Sequence, residues 1–205
     1  MTGYLLIRHA SADHVGRRLA GREPGVHLDE RGRAEAAALA RLLADTPLAT
    51  LHTSPRERAT ETARPIAHAL GLEPVVDPAF DEIDFGAWSG RTLDALEGDP
   101  EWEAWNRFRS TARPPGGETM AEVLARALDG VRALGAAHPD AWVAVVTHCD
   151  VIRPLLAHFA GMPLDLLLRL EVGTASVSAI ELHPWGPRIL AVNGGPAGPW
   201  VPRTG

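Results

Sequence analysis

The sequence predicts a three-layer α/β/α sandwich with a mainly parallel central sheet. Short apolar runs alternate with amphipathic stretches along most of the 205 residues, which is the pattern of successive strand and helix units. Two apolar runs, residues 4–7 and 142–146, are rich in Leu, Ile and Val, and they lead to His9 and His148. Because ligands bind at the carboxyl edge of open α/β sheets, we expect a functional site there.

Composition favours one globular domain over residues 1–193, followed by a loosely held Gly- and Pro-rich tail over residues 194–205. The net charge of −6 without a basic stripe argues against a nucleic-acid partner. The chain shows neither a membrane-length apolar run nor a signal peptide, so we expect no membrane partner and a cytoplasmic location. All twenty basic residues are Arg, which excludes lysine-dependent phosphate loops and Schiff-base chemistry. Cys149 is the only cysteine, so no disulfide forms within the chain.

Residues 11–27, after the first strand, are rich in Gly and Arg and are expected to frame the mouth of a pocket. The next predicted elements are a helix from residue 29 to about residue 45, a strand at residues 48–53, and a helix from residue 54 to about residue 70. Ser54 and Glu57 predict a capping box for the second of these helices. Arg56 would then lie in the first turn, where the helix dipole disfavours a cation. The presence of an arginine there is therefore explained better by a bound anion than by helix stability.

A small helical insertion is predicted over about residues 86–117, with Trp102, Trp105 and Phe108 at the spacing of one buried helix face. The other predicted elements of the second half are a strand at residues 75–76, a helix at 119–137, the strand at 142–146, a helix that ends before residue 161, and a hairpin of strands at 175–182 and 189–192.

The predicted strand ends bring several charged or titratable groups to one edge of the sheet. Arg8 and His9 follow the first strand, and His148 follows the central strand. Guanidinium groups offer forked donors that match phosphate or carboxylate oxygens, and imidazole serves as nucleophile, base or ligand. Arg56 and Glu82 follow two further strands. From the residues alone, Arg56 is equally compatible with an exposed side chain, and Glu82 with a solvated acidic turn.

Four motifs appear in order: LIRHA at residues 6–10, SPRERATETA at 54–63, Glu82 before FGAWSG at 85–90, and Thr147-His148. Together they resemble the motifs of the histidine phosphatase superfamily, the phosphoglycerate mutase-like group, over about residues 4–193. The resemblance implies the phosphoglycerate mutase-like fold. It also implies a histidine acid-type phosphatase that hydrolyses small phosphomonoesters through a phosphohistidine, with no cofactor and no metal.

By position, the resemblance implies that His9 is the phosphorylated nucleophile and Glu82 the proton donor. It assigns phosphoryl binding to Arg8, Arg56 and His148. A neutral imidazole would attack phosphorus while the arginines and a protonated second histidine neutralise the equatorial oxygens. Further candidates for substrate contacts are Ser11 and Arg22 in the loop after the first strand.

The sequence departs from the family pattern at three places. The Glu-Thr and Asn that the family usually has after its first motif are not matched by residues 11–14, which are Ser-Ala-Asp-His. Ala10 stands where the family usually has Gly, and residues 149–150 are Cys-Asp where the family has small residues. The alternatives are a cofactor-dependent phosphoglycerate mutase, a weakly catalytic phospho-ligand-binding regulatory module, and a metallohydrolase. Residues 85–90 resemble the phosphatase branch, and no closely paired metal-ligand pattern occurs among the nine histidines. Sugar phosphates, ribazole phosphate, nucleotides and phosphoglycerate remain candidate substrates, and a homodimer remains open.

Overall fold

The computed structural model, which describes residues 1–195, has six strands in one sheet between two layers of helices. The strands run in the spatial order β3-β2-β4-β1-β5-β6. The first four of these are parallel, and β5 pairs antiparallel with both β1 and β6. This confirms the predicted α/β fold with a mainly parallel sheet. The elements in chain order are β1 (Thr2–Arg8), α1 (Glu30–Leu43), β2 (Leu48–Thr53), α2 (Glu57–Leu70), β3 (Val75–Val76), α3 (Pro100–Arg107), α4 (Met120–Ala137), β4 (Trp142–Thr147), α5 (Cys149–Phe159), β5 (Val177–His183) and β6 (Gly186–Gly194).

The sheet separates two hydrophobic cores, because successive strand side chains point to opposite faces. In β1, Leu5 and Ile7 pack in the core that includes α1 and α2, whereas Tyr4 and Leu6 pack in the core that includes α4 and α5. The hydroxyl of Tyr4 donates a hydrogen bond to the backbone oxygen of Val131 in α4 at 2.9 Å. Every residue of β4 is buried, as expected for a central strand covered on both faces.

Side-chain caps start two of the helices where the sequence predicts them. Asp29 accepts a hydrogen bond from the backbone nitrogen of Gly32 and caps α1. Thr119 and Glu122 form the predicted capping box of α4. These caps satisfy backbone N–H groups that would otherwise lack partners at the helix ends.

The capping box predicted for α2 is wrong. The helix begins at Glu57, and Arg56 is the N-cap residue without a side-chain cap. The hydroxyl of Ser54 lies 2.8 Å from Nε2 of His148 and accepts a hydrogen bond from the backbone nitrogen of Arg56 at 3.3 Å, so it caps no residue of the helix itself. The start of α2 therefore lies two residues after the predicted position, with Arg56 rather than Ser54 as the N-cap.

Between β3 and α4 lie three 3₁₀ turns and α3, within which tryptophans pack together. Trp88 meets Trp102 edge to face, with ring centroids 5.5 Å apart, and Trp105 is fully buried. The prediction that Phe108 shares this inner face is wrong, since Phe108 is 50% exposed. The reason is that α3 ends at Arg107, so the helical spacing no longer applies at Phe108.

The closing hairpin predicted at the sheet edge is formed by β5 and β6. β6 reaches Gly194, the first residue of the predicted tail, and from residue 196 onwards the tail lies outside the described residues. None of the helices in residues 1–195 combines the length and the apolar character that a membrane crossing requires.

Candidate active site

The ends of β1 and β4 bring two histidines together. The backbone nitrogen of His9 donates to the backbone oxygen of Thr147 at 2.8 Å, and Arg8 is in register with Thr147. The residues that follow, His9 and His148, therefore lie side by side, with ring centroids 5.2 Å apart. This is the juxtaposition predicted from the two apolar runs.

His9 is 2% exposed and is held in one tautomer. Its Nδ1 lies 2.8 Å from the backbone oxygen of Ala10. Because a carbonyl oxygen only accepts, Nδ1 carries the proton and donates it to Ala10, which leaves Nε2 unprotonated in the neutral ring. Burial first, and then the charges of Arg58 and Arg8, lower the pKa of His9 well below its usual value. His9 therefore presents a neutral nitrogen that is free to attack an electrophile.

The arginine that α2 contributes to the site is Arg58, which the sequence analysis missed. Arg58 is fully buried, and its Nη2 donates to the backbone oxygen of Gly21 at 2.9 Å and to Nδ1 of His148 at 3.2 Å. Nη2 also lies 3.6 Å from Oε2 of Glu82. Nε and Nη1 of Arg58 have no hydrogen-bond partner within residues 1–195. A buried guanidinium with unused donors is suited to bind an anion.

Arg56, the predicted phosphoryl ligand, lies elsewhere, and this prediction is corrected. Its Nε is 2.8 Å from Oδ1 of Asp81, and its Nη1 donates to the backbone oxygen of Arg22 at 2.7 Å. Arg56 precedes the first turn of α2, whereas Arg58 lies inside that turn on the buried face. That face continues with Ala59, Thr62, Ala63 and Ile66. This helical spacing is the sequence signal that could have identified Arg58.

Glu82 reaches the two histidines from the loop after β3. Its Oε2 lies 3.3 Å from Nδ1 of His148, and its Oε1 accepts a hydrogen bond from the backbone nitrogen of Ile83 at 3.0 Å. Burial, followed by the negative charge of Asp150, raises the pKa of Glu82 to about 7. A carboxyl group with that pKa can both donate and accept a proton near neutral pH.

Without a bound anion, the surroundings of His148 favour the neutral ring. Burial, and then the charges of Arg58 and His9, lower the pKa of His148 well below its usual value. In the neutral ring, Nδ1 accepts from Arg58 and Nε2 donates to the hydroxyl of Ser54. A bound dianion would favour protonation of His148, because it places negative charge beside the ring.

Of the three remaining predicted residues, only Arg8 lies at the site. Its Nη1 donates to the backbone oxygen of Val172 at 2.6 Å, while its Nε is buried without a partner in residues 1–195. The hydroxyl of Ser11 donates to Asp29 at 2.8 Å, which ties Ser11 to the cap of α1. The Nε of Arg22 donates to the backbone oxygen of Glu82 at 2.8 Å, so Arg22 supports the loop of Glu82 from behind. Neither Ser11 nor Arg22 is among the residues that line the pocket beside His9, and their contacts with substrate stay predictions.

A pocket of about 130 Å³ opens beside His9 and Glu82. It is lined by Arg8, His9 and Glu82, by Cys149 and Asp150, and by most of the loop at residues 14–21. The loop predicted to frame the pocket mouth thus does so. Within residues 1–195, no group of three or more His, Cys, Asp or Glu side chains is arranged to hold a metal ion.

Comparison with known proteins agrees with the resemblance drawn from the motifs. Residues 4–194 match the histidine phosphatase superfamily, branch 1. A bifunctional protein of Mycobacterium tuberculosis is 37% identical over 189 residues, which cover 90% of this chain and 51% of that protein. The chain thus spans about half the length of this relative.

Two other similar proteins match over most of their length. Phosphoserine phosphatase 1 of Hydrogenobacter thermophilus is 30% identical over 197 residues, covering 94% of this chain and 92% of the relative. The solved structure of mycobacterial glucosyl-3-phosphoglycerate phosphatase superposes with a TM-score of 0.86 at 27% identity, covering 94% of this chain and 99% of that one. The similarity to both proteins therefore extends over most of this chain.

Proposed function

The chain belongs to the histidine phosphatase superfamily, and from that premise we propose that it hydrolyses phosphomonoesters through a phosphohistidine intermediate without a metal ion. The observation that carries the proposal is the state of His9. A neutral ring whose Nε2 is free, next to the buried Arg58 and the partly buried Arg8, both of which have unused donors, is the arrangement that nucleophilic attack on a phosphoryl group needs.

In the first step, Arg8 and Arg58 hold the phosphoryl oxygens and neutralise their charge. Nε2 of His9 attacks phosphorus in line, a P–N bond forms, and the P–O bond to the leaving group breaks. Protonated Glu82 gives its proton to the leaving oxygen, so an alcohol departs. The pKa of about 7 for Glu82 keeps that proton available at neutral pH.

In the second step, the ionised Glu82 accepts a proton from water, and the water oxygen attacks the phosphorus of phosphohistidine. The P–N bond breaks, inorganic phosphate leaves, and His9 and Glu82 return to their starting states. His148, which lies 3.3 Å from Glu82, takes a proton from solvent while the phosphoryl charge is present, stabilises that charge, and returns the proton to solvent when phosphate leaves. A mutase would instead return the phosphoryl group to an organic acceptor, so release of inorganic phosphate distinguishes the two activities.

The test is to trap the phosphoenzyme with a radioactive phosphoester. Acid-labile label is expected on His9 of the wild type, and His9→Ala is expected to abolish both the label and the release of phosphate. His27→Ala is a matched control, because His27 lies on the surface and pairs with Glu61. Activity should persist in excess chelator. Label on Cys149 or Ser11, or a loss of activity that divalent metal restores, would contradict the proposal.

A further inference from the structure

His14 is a buried histidine at the pocket that the proposed reaction does not use. It is 9% exposed, and its ring centroid lies 5.8 Å from that of His9, the proposed nucleophile. It lines the same pocket. Its Nδ1 is buried and has no hydrogen-bond partner within residues 1–195. Buried polar atoms are seldom left unpaired without a functional reason, so His14 is a candidate for contacting the substrate.

The protonation of His14 makes it a neutral hydrogen-bond donor. Burial first, and then the charges of Arg58 and Arg18, lower the pKa of His14 to about 4, so the ring carries one proton at neutral pH. An orphaned N–H costs more in a protein interior than an orphaned acceptor, which favours the proton on Nε2 rather than on the unpartnered Nδ1. Nε2 is then the donor that remains for a group in the pocket.

Asp150 supplies an acceptor to the same pocket. Its Oδ1 lies 3.8 Å from Nη1 of Arg109 and 4.0 Å from Nη1 of Arg153, which is too far for hydrogen bonds. Oδ1 has no hydrogen-bond partner in the described part of the chain. The two arginines thus face the carboxylate without hydrogen bonding to Oδ1, so the capacity of Oδ1 to accept hydrogen bonds is unused within the described residues.

We propose that His14 and Asp150 form a leaving-group subsite that selects a small hydroxylated alcohol, with His14 donating to a hydroxyl and Asp150 accepting from one. This inference rests on the proposed phosphatase activity. A hydroxyl group both accepts and donates, so neighbouring hydroxyls satisfy both side chains, whereas an alkyl group leaves both unpaired. The pocket volume of about 130 Å³ is small beside the roughly 300 to 1,000 Å³ of pockets that enclose drug-sized ligands, which favours a compact polyol.

The experiment compares glycerol 3-phosphate with propyl phosphate, which have the same three-carbon chain and differ in two hydroxyl groups. We expect the wild type to prefer glycerol 3-phosphate by about tenfold or more in kcat/KM, because each hydrogen bond contributes a few-fold. In His14→Phe the preference should fall to within about twofold, because kcat/KM for glycerol 3-phosphate falls by a larger factor than kcat/KM for propyl phosphate. His14→Leu, which also lacks a donor, replaces His14→Phe if the latter does not fold.

Three further variants refine the measurement. His14→Gln, whose amide nitrogen reaches near the position of Nε2, should retain most of the preference. Asp150→Ala should reduce the preference for glycerol 3-phosphate. The readout is the ratio of kcat/KM for the two esters, because any effect of Asp150 on the pKa of Glu82 changes both values. His27→Phe, a change of the same kind at an exposed histidine, should leave the preference unchanged.

Different results would overturn the two proposals. Wild-type hydrolysis of both esters without a preference would overturn the leaving-group subsite alone, as would equal losses on both esters in the His14 variants. Absence of both phosphate release and label on His9 in the wild type would overturn the proposed phosphatase activity itself. A preference that survives in His14→Phe and His14→Leu would assign recognition of the hydroxyl groups to other residues.

Discussion

Two arginine–carboxylate pairs lie side by side in this protein, and they differ in burial and in closeness. The outer pair, Arg56 and Asp81, has an N···O distance of 2.8 Å and side chains that are 22% and 10% exposed. The inner pair, Arg58 and Glu82, has a distance of 3.6 Å and side chains that are 0% and 9% exposed. The arginines are two residues apart at the start of α2, and the acids are consecutive in the loop after β3.

The difference assigns separate tasks to the two pairs. The outer pair is in close contact, so its charges largely neutralise each other, and it connects the α2 junction to the loop of Glu82. Only one nitrogen of Arg56, Nε, is buried without a well-aligned hydrogen bond in residues 1–195. The inner pair is buried but loosely paired, and two guanidinium nitrogens of Arg58 have no partner in residues 1–195. A buried charge that lacks full pairing gains most from a bound anion. We therefore expect catalytic activity to depend on the inner pair, and a small part of the free energy of unfolding to depend on the outer pair.

The largest expected effect is on activity and follows from removing Arg58, the arginine of the inner pair. Arg58→Ala should lower kcat/KM by about 1,000-fold, because preorganised donors to a transferring phosphoryl group contribute on this scale. The loss should be similar for propyl phosphate and 4-nitrophenyl phosphate, since both present the same phosphoryl group. Steady-state kinetics of the purified variant, with circular dichroism to verify folding, provide the measurement.

Arg56→Ala is the matched control, because it removes the same side chain two residues away. Its kcat/KM should stay within about threefold of the wild type. If Arg56→Ala lost as much activity as Arg58→Ala, the separation of the two pairs would be wrong, and the phosphoryl site would have to include Arg56.

The two histidines of the site and the arginine of the inner pair were not equally predictable from the sequence. His9 and His148 follow unbroken apolar runs, and strands of that kind in a parallel sheet end at one edge, so their meeting could be inferred from local pattern. Arg58 lies on the helical spacing of the buried face of α2, whereas the start of that helix could not be inferred from local capping preferences. The contact between Ser54 and His148 joins residues 94 positions apart, and capping preferences contain no information about it.

A second prediction separates proton transfer from phosphoryl binding within the inner pair. Glu82→Gln should slow hydrolysis of propyl phosphate by about 100-fold or more, because an alkoxide leaves poorly without a proton. Hydrolysis of 4-nitrophenyl phosphate, whose phenolate needs little help, should fall far less. The measurement is the ratio of kcat/KM for the two esters. Equal losses on both would assign the proton to another group, and Asp81 and Asp84 would be the first to test.

The pKa of Glu82 gives this prediction a pH dependence with a definite sign. Because the pKa of Glu82 is raised to about 7, the proton is present below that pH and is lost above it. Wild-type hydrolysis of propyl phosphate should therefore decline as the pH rises through about 7. Glu82→Gln cannot lose such a proton, so its slower rate should lack this decline. The same decline in the variant would show that another group titrates.

The smallest expected effect is on stability and concerns the outer pair. Arg56→Ala should lower the free energy of unfolding by about 0.5 to 1 kcal/mol, since partly exposed ion pairs contribute on that order. Asp81 would keep other partners in the variant, because its Oδ1 accepts from the backbone nitrogen of Glu82 at 2.8 Å and its Oδ2 lies 3.4 Å from Nε of Arg22. Urea unfolding at low and high salt measures the contribution, and the difference between wild type and variant should shrink as salt screens the pair. A loss of several kcal/mol would show that the outer pair holds the α2 junction in place, and the inner pair would then depend on it for its position.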